Sequence, residues 1–256
     1  MENKWYMAAI PVTDFWNKAR FESGRTSQVL YGRFLRAVKS QSGYAFCHGE
    51  DNYTGWVRES HLIELPKDLS DLKRAVVRKI SAPVLKNPAD SNPVLRLSYG
   101  SAVFYDRIEG ELAHSVYPAG WMRKSDLAFK PAFAKTFNPI LRDLKLFLGT
   151  PYLWGGKSGF GIDCSGLVQL VYNSHGFYLP RDSIDQAEYG RRIARKNIKP
   201  GDLVFSPGHV SVNIGNEKIL HANSRCGMVS IESIDKKSAL YREDIARNIV
   251  VIRRIL

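Results

Sequence analysis

The chain has 256 residues, of which 44% are hydrophobic, so it can form one large domain or two to three small ones, and disorder throughout is excluded. Lys and Arg number 37 against 25 Asp and Glu, a formal net charge of +12 that suits solubility, an anionic ligand or a polyanionic surface. The basic residues form no run typical of a nucleic-acid tail, and residues 191–196 predict a solvated helix end, so we expect no nucleic-acid partner.

The sequence contains no segment with the character of a secretory or membrane-spanning stretch. Residues 1–11 lack an apolar run long enough for a secretory signal, and nothing later approaches the length of a membrane span. Cys47, Cys164 and Cys226 are an odd number without the spacing of a disulfide framework, which favours a reducing compartment and a reactive thiol. We therefore expect a cytoplasmic protein with no membrane partner.

The first half of the chain contains an internal repeat. Residues 55–62, Gly-Trp-Val-Arg-Glu-Ser-His-Leu, match residues 120–127, Gly-Trp-Met-Arg-Lys-Ser-Asp-Leu. Short alternating apolar runs broken by Gly, Asp and Asn surround both copies, as is typical of small β-barrels. The repeat predicts two β-barrel modules, over residues 1–66 and 67–130, followed by a third domain over residues 131–256.

Beyond the repeat the sequence changes to mixed helix and strand. Apolar residues at helical spacing predict a helix over residues 138–148, which Gly149 ends. A second helix is predicted to begin at Cys164, with Asp163 as its N-cap and Gly176 as the left-handed residue after its end. Cys164 thus lies in the first helical turn, where the helix dipole and unpaired amides favour a thiolate.

Two histidines lie on neighbouring predicted strands. The strand over residues 209–214 alternates strictly between apolar and other residues, and a Gly-Asn turn leads to a strand over residues 218–221. In a hairpin whose facing residue numbers sum to an even value, His209 and His221 share one face, opposite or diagonal to each other. A slip of one residue would separate them.

A thiol at a helix N-terminus, with a histidine beside it and a polar group to orient that histidine, suits nucleophilic acyl transfer. We assign Cys164 as nucleophile, His209 as acid and base, and His221 as the orienting group. Amides at the helix start and the Tyr152 hydroxyl would stabilise the oxyanion. The alternative is a zinc site that adds Cys226 to these three residues, but its spacings match no standard zinc pattern, so we expect no metal and no cofactor.

These residues also carry a resemblance to a known family. The strings that carry it are Gly149-Thr-Pro-Tyr-Leu-Trp-Gly-Gly156, Asp163-Cys-Ser-Gly-Leu-Val-Gln169, Leu179-Pro-Arg-Asp-Ser183, Pro200-Gly-Asp-Leu-Val-Phe205, His209-Val210 and His221-Ala222. Their order and spacing resemble the NlpC-type cysteine peptidases over essentially all of residues 136–256. The resemblance implies an α+β fold: a papain-like catalytic domain preceded by two small SH3-like β-barrels, with a Cys-His-His set that cleaves cell-wall peptides beside γ-D-glutamyl.

The two barrel modules make the chain similar to the subgroup of γ-D-glutamyl-L-diamino-acid endopeptidases that trim murein peptides during recycling. This implies a monomer that acts on short, free murein peptides at the bond to diaminopimelate or lysine. In this subgroup Asp163 and Ser165 hold the free peptide N-terminus, and Tyr53 of the first module closes the pocket. Arg181 either meets a substrate carboxylate or caps the following helix. Arg33 is a departure, because relatives commonly have an acidic residue there and an arginine would repel the substrate amine.

Two rival functions use the same residues. One is a non-hydrolytic cell-wall-binding protein in which the SH3-like modules dominate, and the intact Cys-His-His set argues against it. The other is a thiol acyltransferase that passes the acyl group to an acceptor other than water.

Overall fold

The computed structural model describes residues 3–131 and 133–256. The chain forms two compact units. The first comprises Met1–Lys130 with Lys157–Phe160, and the second comprises Pro131–Gly156 with Gly161–Leu256.

The first unit contains two seven-stranded antiparallel sheets. The strands of the first sheet are β1 (Lys4–Ala8), β2 (Val12–Trp16), β3 (Arg25–Leu30), β4 (Phe34–Gln41), β5 (Tyr44–Gly49), β6 (Thr54–Arg58) and β7 (Leu62–Glu64). Those of the second are β8 (Lys73–Val77), β9 (Ser81–Leu85), β10 (Pro93–Ser98), β11 (Ala102–Glu109), β12 (Leu112–Tyr117), β13 (Gly120–Arg123) and β14 (Leu127–Ala128).

The two sheets have the same topology. The strand order β3-β2-β6-β5-β4-β1-β7 becomes β10-β9-β13-β12-β11-β8-β14 when each number rises by seven. Even the 3-10 turns Glu59–His61 and Lys124–Asp126 occupy equal places after the repeated Gly-Trp motif. The internal repeat of the sequence therefore corresponds to a repeat of structure, whereas the boundaries at residues 66 and 130 stay predictions.

Each sheet closes around its own core. Leu35, Ala37, Ala45 and Val57 are fully buried in the first, and Val77, Val84, Leu97, Val103 and Met122 in the second. Within this unit Gly32 has φ +74°, and a Cβ there would lie 2.1 Å from the Ala102 carbonyl oxygen. The Tyr-Gly pair at residues 31–32 thus contains a glycine that the close backbone approach requires.

The second unit is the mixed α and β part of the chain. Its elements are α1 (Phe137–Leu146), β16 (Gly161–Ile162), α2 (Cys164–Asn173), α3 (Ser183–Gln186), β17 (Arg191–Arg192), β18 (Leu203–Ser206), β19 (His209–Gly215), β20 (Lys218–Asn223), β21 (Met228–Ser233), α4 (Glu243–Arg247) and β22 (Val251–Arg254). The remaining strand, β15 (Lys157–Ser158), falls within the segment assigned to the first unit.

A six-stranded sheet and one central helix position the candidate site. The sheet order is β17-β22-β18-β19-β20-β21, and α2 packs against β19 and β20. Every residue of α2 from Cys164 to Tyr172 is buried, so this helix is covered on all sides. Its N-terminal turn is thereby fixed against the strand that carries His209. Within the described ranges, no helix is long and apolar enough to cross a bilayer.

Two predicted elements differ from the structure. The first helix spans Phe137–Leu146, so it ends before Gly149, although that glycine does have a positive φ of 80°. The predicted helix end at residues 191–196 is wrong, because Arg191 and Arg192 pair with β22 as an edge strand and Arg195–Asn197 forms a 3-10 turn. This segment is exposed as expected, but it lacks the apolar stripe that would hold a helix on the core.

Candidate active site

Cys164 lies at the N-terminus of α2, as the sequence predicts. Asp163 is the N-cap, and its Oδ1 accepts a 2.7 Å hydrogen bond from the Gly166 N–H. The Cys164 side chain is buried, and its sulfur interacts with the backbone N–H groups of Ser165 and Val210. The second of these contacts places the residue after His209 beside the thiol.

Burial of the Cys164 thiol opposes the thiolate that the helix N-terminus favours. Burial raises the pKa of Cys164 to about 11, and the neighbouring Asp163 carboxylate acts in the same direction. The amides of Ser165 and Val210 and the charge of Arg181 lower the pKa, as a helix N-terminus should, but they do not offset the loss of hydration. A base must therefore take the proton when the thiol attacks.

The β19–β20 hairpin places both histidines on one face. Val212 pairs with Leu220, so the facing residue numbers sum to an even value. His209 Nε2 lies 2.7 Å from His221 Nδ1, and the two rings meet nearly edge to face with centroids 5.0 Å apart. The prediction that the histidines share a face is confirmed, and the register makes them diagonal neighbours.

The even register depends on a β-bulge beside the turn. Gly215 pairs with Lys218 around residues 216–217, whose positive φ angles of 50° and 53° are those of a tight hairpin turn. That pair sums to an odd value, and the same register continued along the strands would turn His221 to the opposite face. A register shift immediately before Gly215 restores the even pairing.

A carboxylate that the sequence analysis did not identify continues the chain of hydrogen bonds. Glu232 Oε2 lies 2.7 Å from His221 Nε2 and also accepts a hydrogen bond from Arg242 Nη1. Burial alone raises the pKa of Glu232, but the hydrogen bonds from His221 and Arg242 and the charge of Arg242 outweigh it and lower the pKa to about 2. The sequence pattern that could have identified Glu232 lies in β21. Ser230 pairs with His221, and Glu232 follows Ser230 by two residues and so lies on the same face of the strand.

Asp163 and Arg181 form a buried, two-fold hydrogen-bonded ion pair. Arg181 Nη1 lies 3.0 Å from Asp163 Oδ1 and Nη2 lies 2.7 Å from Oδ2, with Arg181 3% exposed. Arg181 Nη1 also donates to Ser165 Oγ at 2.9 Å, and Gly155 N–H donates to Asp163 Oδ2 at 2.9 Å. For Arg181 the sequence predicts either a contact with a substrate carboxylate or a cap on the following helix. The contacts of Arg181 in the structure are neither of these, because the guanidinium pairs with the carboxylate that caps α2. The substrate contacts of Asp163, Ser165 and Arg181 stay predictions.

Tyr152 lies beside the same group of residues. Burial raises the pKa of its hydroxyl to about 12, and the neighbouring Asp163 carboxylate adds to the effect. The phenol therefore keeps its proton at neutral pH and can donate a hydrogen bond to a developing oxyanion.

Two predicted determinants of the substrate amine lie in the first unit. Tyr53 packs against Phe15, and its hydroxyl donates to the Thr26 carbonyl at 3.4 Å. Arg33 donates to Glu50 Oε2 at 3.1 Å and, through Nε and Nη2, to the Gly100 carbonyl. The charge of Arg33 is thus paired, which weakens the predicted repulsion of an amine. The role of Tyr53 stays a prediction.

The environment of His209 predicts a pH-dependent stability. Burial lowers the pKa of His209 from 6.5 to about 3, and the positive charge of Arg242 adds to the effect. Between these two pKa values, the unfolded protein binds more protons at this histidine than the folded protein does. The free energy of unfolding should therefore fall by about 1–2 kcal/mol between pH 7 and pH 5. Urea unfolding at both pH values should show a smaller loss for His209→Gln. An equal loss in both proteins would contradict the assigned environment.

No group of three or more His, Cys, Asp or Glu side chains able to hold a metal occurs within residues 3–131 and 133–256. Of the four residues weighed for zinc, Cys226 is exposed, and its sulfur lies 3.6 Å from Glu232 Oε1. The expectation of no metal stays a prediction.

Comparison with known families agrees with this geometry. Residues 149–247 match the NlpC/P60 family, and residues 16–62 match the bacterial dipeptidyl-peptidase Sh3 domain. A crystal structure of an NlpC/P60 family protein from Bacillus cereus superposes with a TM-score of 0.87 at 22% identity, covering 99% of this chain and 100% of that one. The predicted α+β, papain-like fold class with an SH3-like N-terminal part is confirmed.

Two curated relatives span most of the chain. A γ-D-glutamyl-L-lysine dipeptidyl-peptidase from Bacillus cereus is 30% identical over 86% of this chain and 73% of its own length. Dipeptidyl-peptidase 6 from Lysinibacillus sphaericus is 39% identical over 88% of this chain and 90% of its own length. Identity at this level over most of each chain, joined to a buried thiol at a helix N-terminus and a pair of histidines, places the chain in the NlpC/P60 family as a cysteine peptidase.

Proposed function

We propose that this peptidase hydrolyses the bond between γ-D-glutamate and an L-diamino acid, diaminopimelate or lysine, in short murein peptides and so releases an N-terminal dipeptide. The observation that carries the proposal is the buried Cys164 thiol beside the Val210 amide, with His209 and His221 joined by a 2.7 Å hydrogen bond. The relatives named as dipeptidyl-peptidases support the substrate class.

The reaction begins with proton transfer, because the resting thiol and His209 are both neutral. As Cys164 Sγ attacks the γ-carbonyl carbon, its proton passes to His209 and a tetrahedral oxyanion forms. The amides at the start of α2 and the Tyr152 hydroxyl stabilise that oxyanion. Collapse breaks the C–N bond, and His209 returns the proton to the leaving amine. Water, deprotonated by His209, then hydrolyses the thioester and frees the thiol.

The amine end of the substrate is the finer part of the proposal. Both Asp163 oxygens already accept hydrogen bonds from Arg181, so a substrate ammonium would share a carboxylate that is paired. We infer that the main role of Asp163 is to cap α2. Any preference for a substrate with a free N-terminus then depends on the negative potential that remains at the paired carboxylate. A monomer working in the cytoplasm stays a prediction.

The test is mass-spectrometric product analysis with L-Ala-γ-D-Glu-diaminopimelate, the lysine analogue, and the N-acetylated form of each. We expect release of L-Ala-γ-D-Glu from the free peptides, at a rate at least about tenfold above that for the acetylated ones. Equal cleavage of free and acetylated peptides would remove the amine preference while keeping the hydrolase.

Two further outcomes separate the rival functions. Hydroxamate formation in added hydroxylamine, without free dipeptide in its absence, would indicate an acyltransferase. Retention of the protein on intact sacculi, with no cleavage of any peptide, would indicate the non-hydrolytic binding protein and overturn the proposal.

A further inference from the structure

We propose that Glu232 is a positioning residue of this peptidase, acting through His221 to fix which nitrogen of His209 carries the proton. The inference rests on the proposed role of His209 as the base. It extends the Cys-His-His set by a carboxylate on the neighbouring strand β21.

The tautomers of His221 and His209 can be assigned in that order, beginning at the Glu232 carboxylate. An ionised Glu232 can only accept a hydrogen bond, and its 2.7 Å charged contact with His221 Nε2 outweighs the Asn223 Nδ2 donor at 3.3 Å, so His221 Nε2 carries a hydrogen. In neutral His221 the other nitrogen, Nδ1, then has a lone pair and accepts the 2.7 Å hydrogen bond from His209 Nε2–H. This leaves His209 Nδ1 unprotonated, and it is the nitrogen that can accept a thiol proton.

The opposite polarity would disable the base. If His221 carried its hydrogen on Nδ1, it would donate to His209 Nε2, and neutral His209 would then hold its own hydrogen on Nδ1. A base with the wrong tautomer cannot accept the thiol proton at that nitrogen. Glu232 favours the productive arrangement because the alternative would leave the carboxylate facing a lone pair at 2.7 Å.

The surroundings of Glu232 hold its carboxylate in place. Arg242, itself nearly buried, donates to Glu232 through Nη1 and to Asp244 Oδ2 through Nη2 at 2.7 Å. Asn223 Nδ2 at 3.5 Å and Cys226 Sγ at 3.6 Å also lie within hydrogen-bonding reach of Glu232. Because Arg242 keeps Asp244 as a partner, a change at Glu232 does not leave its charge unpaired.

The test compares Glu232→Gln, which keeps an acceptor but removes the charge, with Glu232→Leu, which removes both. Peptide hydrolysis should show kcat lowered about tenfold in the Gln variant and about 100-fold in the Leu variant, with KM nearly unchanged. Glu243→Gln and Glu243→Leu are the matched controls. Glu243 is an exposed glutamate on α4 that pairs with Arg247, so both controls should keep the wild-type kcat.

A spectroscopic reading needs no substrate and therefore separates this inference from the proposed function. Nitrogen-15 NMR of the histidine rings should show His209 and His221 of the unmutated protein both as Nε2–H tautomers. The Leu variant should show a mixture at His221. An Nδ1–H tautomer at either ring of the unmutated protein would overturn the inference, as would an unchanged kcat in a folded Leu variant. If the Leu variant does not fold, the Gln variant and the tautomers of the unmutated protein decide.

Discussion

Replacing Cys164 by alanine is expected to lower the rate of peptide hydrolysis by at least about 10⁴-fold. The thiol is the nucleophile of the proposed reaction, and neighbouring hydroxyl and imidazole groups cannot form the thioester in its place. The helix around it should be unaffected, because alanine is a good helix former and Asp163 still caps α2 through Gly166. Thermal unfolding should change by no more than a few degrees, while steady-state kinetics record the loss.

The matched control is Cys47→Ala, which makes the same chemical change at a fully buried cysteine in the core of the first sheet. Burial raises the pKa of Cys47 to about 12, so this thiol is inert at neutral pH. The control should keep its activity and lose about 1 kcal/mol of stability through lost packing. Persistent hydrolysis by Cys164→Ala, at a rate similar to that of the control, would contradict the assignment of the nucleophile.

Replacing Asp163 by alanine is expected to destabilise the protein by about 3–5 kcal/mol. The change leaves Arg181, which is 3% exposed, without its bidentate carboxylate, and it removes the hydrogen bond that caps α2. Loss of the cap alone accounts for about 1 kcal/mol, and the uncompensated buried charge accounts for most of the remainder. Chemical denaturation at pH 7 measures the difference in the free energy of unfolding.

Two companion variants isolate the cause. Asp163→Ala combined with Arg181→Met removes both charges and should recover part of the loss, since the buried guanidinium is gone. Glu243→Ala breaks the exposed Arg247 ion pair on α4 and should cost less than about 0.5 kcal/mol. A loss for Asp163→Ala as small as that of Glu243→Ala would show that Asp163 is merely an exposed cap.

Local sequence rules predicted the position of the proposed nucleophile. Asp163 followed by an apolar stripe defines a helix start, and that alone places Cys164 in the first turn. The shared face of His209 and His221 also followed from alternation, but its reason lies partly in the bulge before Gly215, which no propensity in the sequence marks. The predicted two-residue turn lies one residue too early, but a turn at either place gives an odd sum, so the correct face depends on the bulge.

The sequence pattern could not predict which side chains distant in sequence form ion pairs at the site. Arg181 is separated from Asp163 by all of α2, and Arg242 reaches Glu232 from the segment before α4. Such pairs depend on how helices and strands pack against each other. No periodic pattern in a single sequence indicates that packing. The raised pKa of Cys164 has the same origin, because it is set by burial rather than by position in the helix.

The bulge in the β19–β20 hairpin imposes a parity rule on this part of the chain. Because side chains alternate along a strand, and if the turn keeps its two residues, one residue added or removed between His209 and the turn, or between the turn and His221, puts the two imidazoles on opposite faces. A change of two residues preserves the pairing, and so does a change of one that also abolishes the bulge. While the turn keeps two residues, the spacing between the two histidines can therefore change only in even steps, unless the bulge itself is gained or lost.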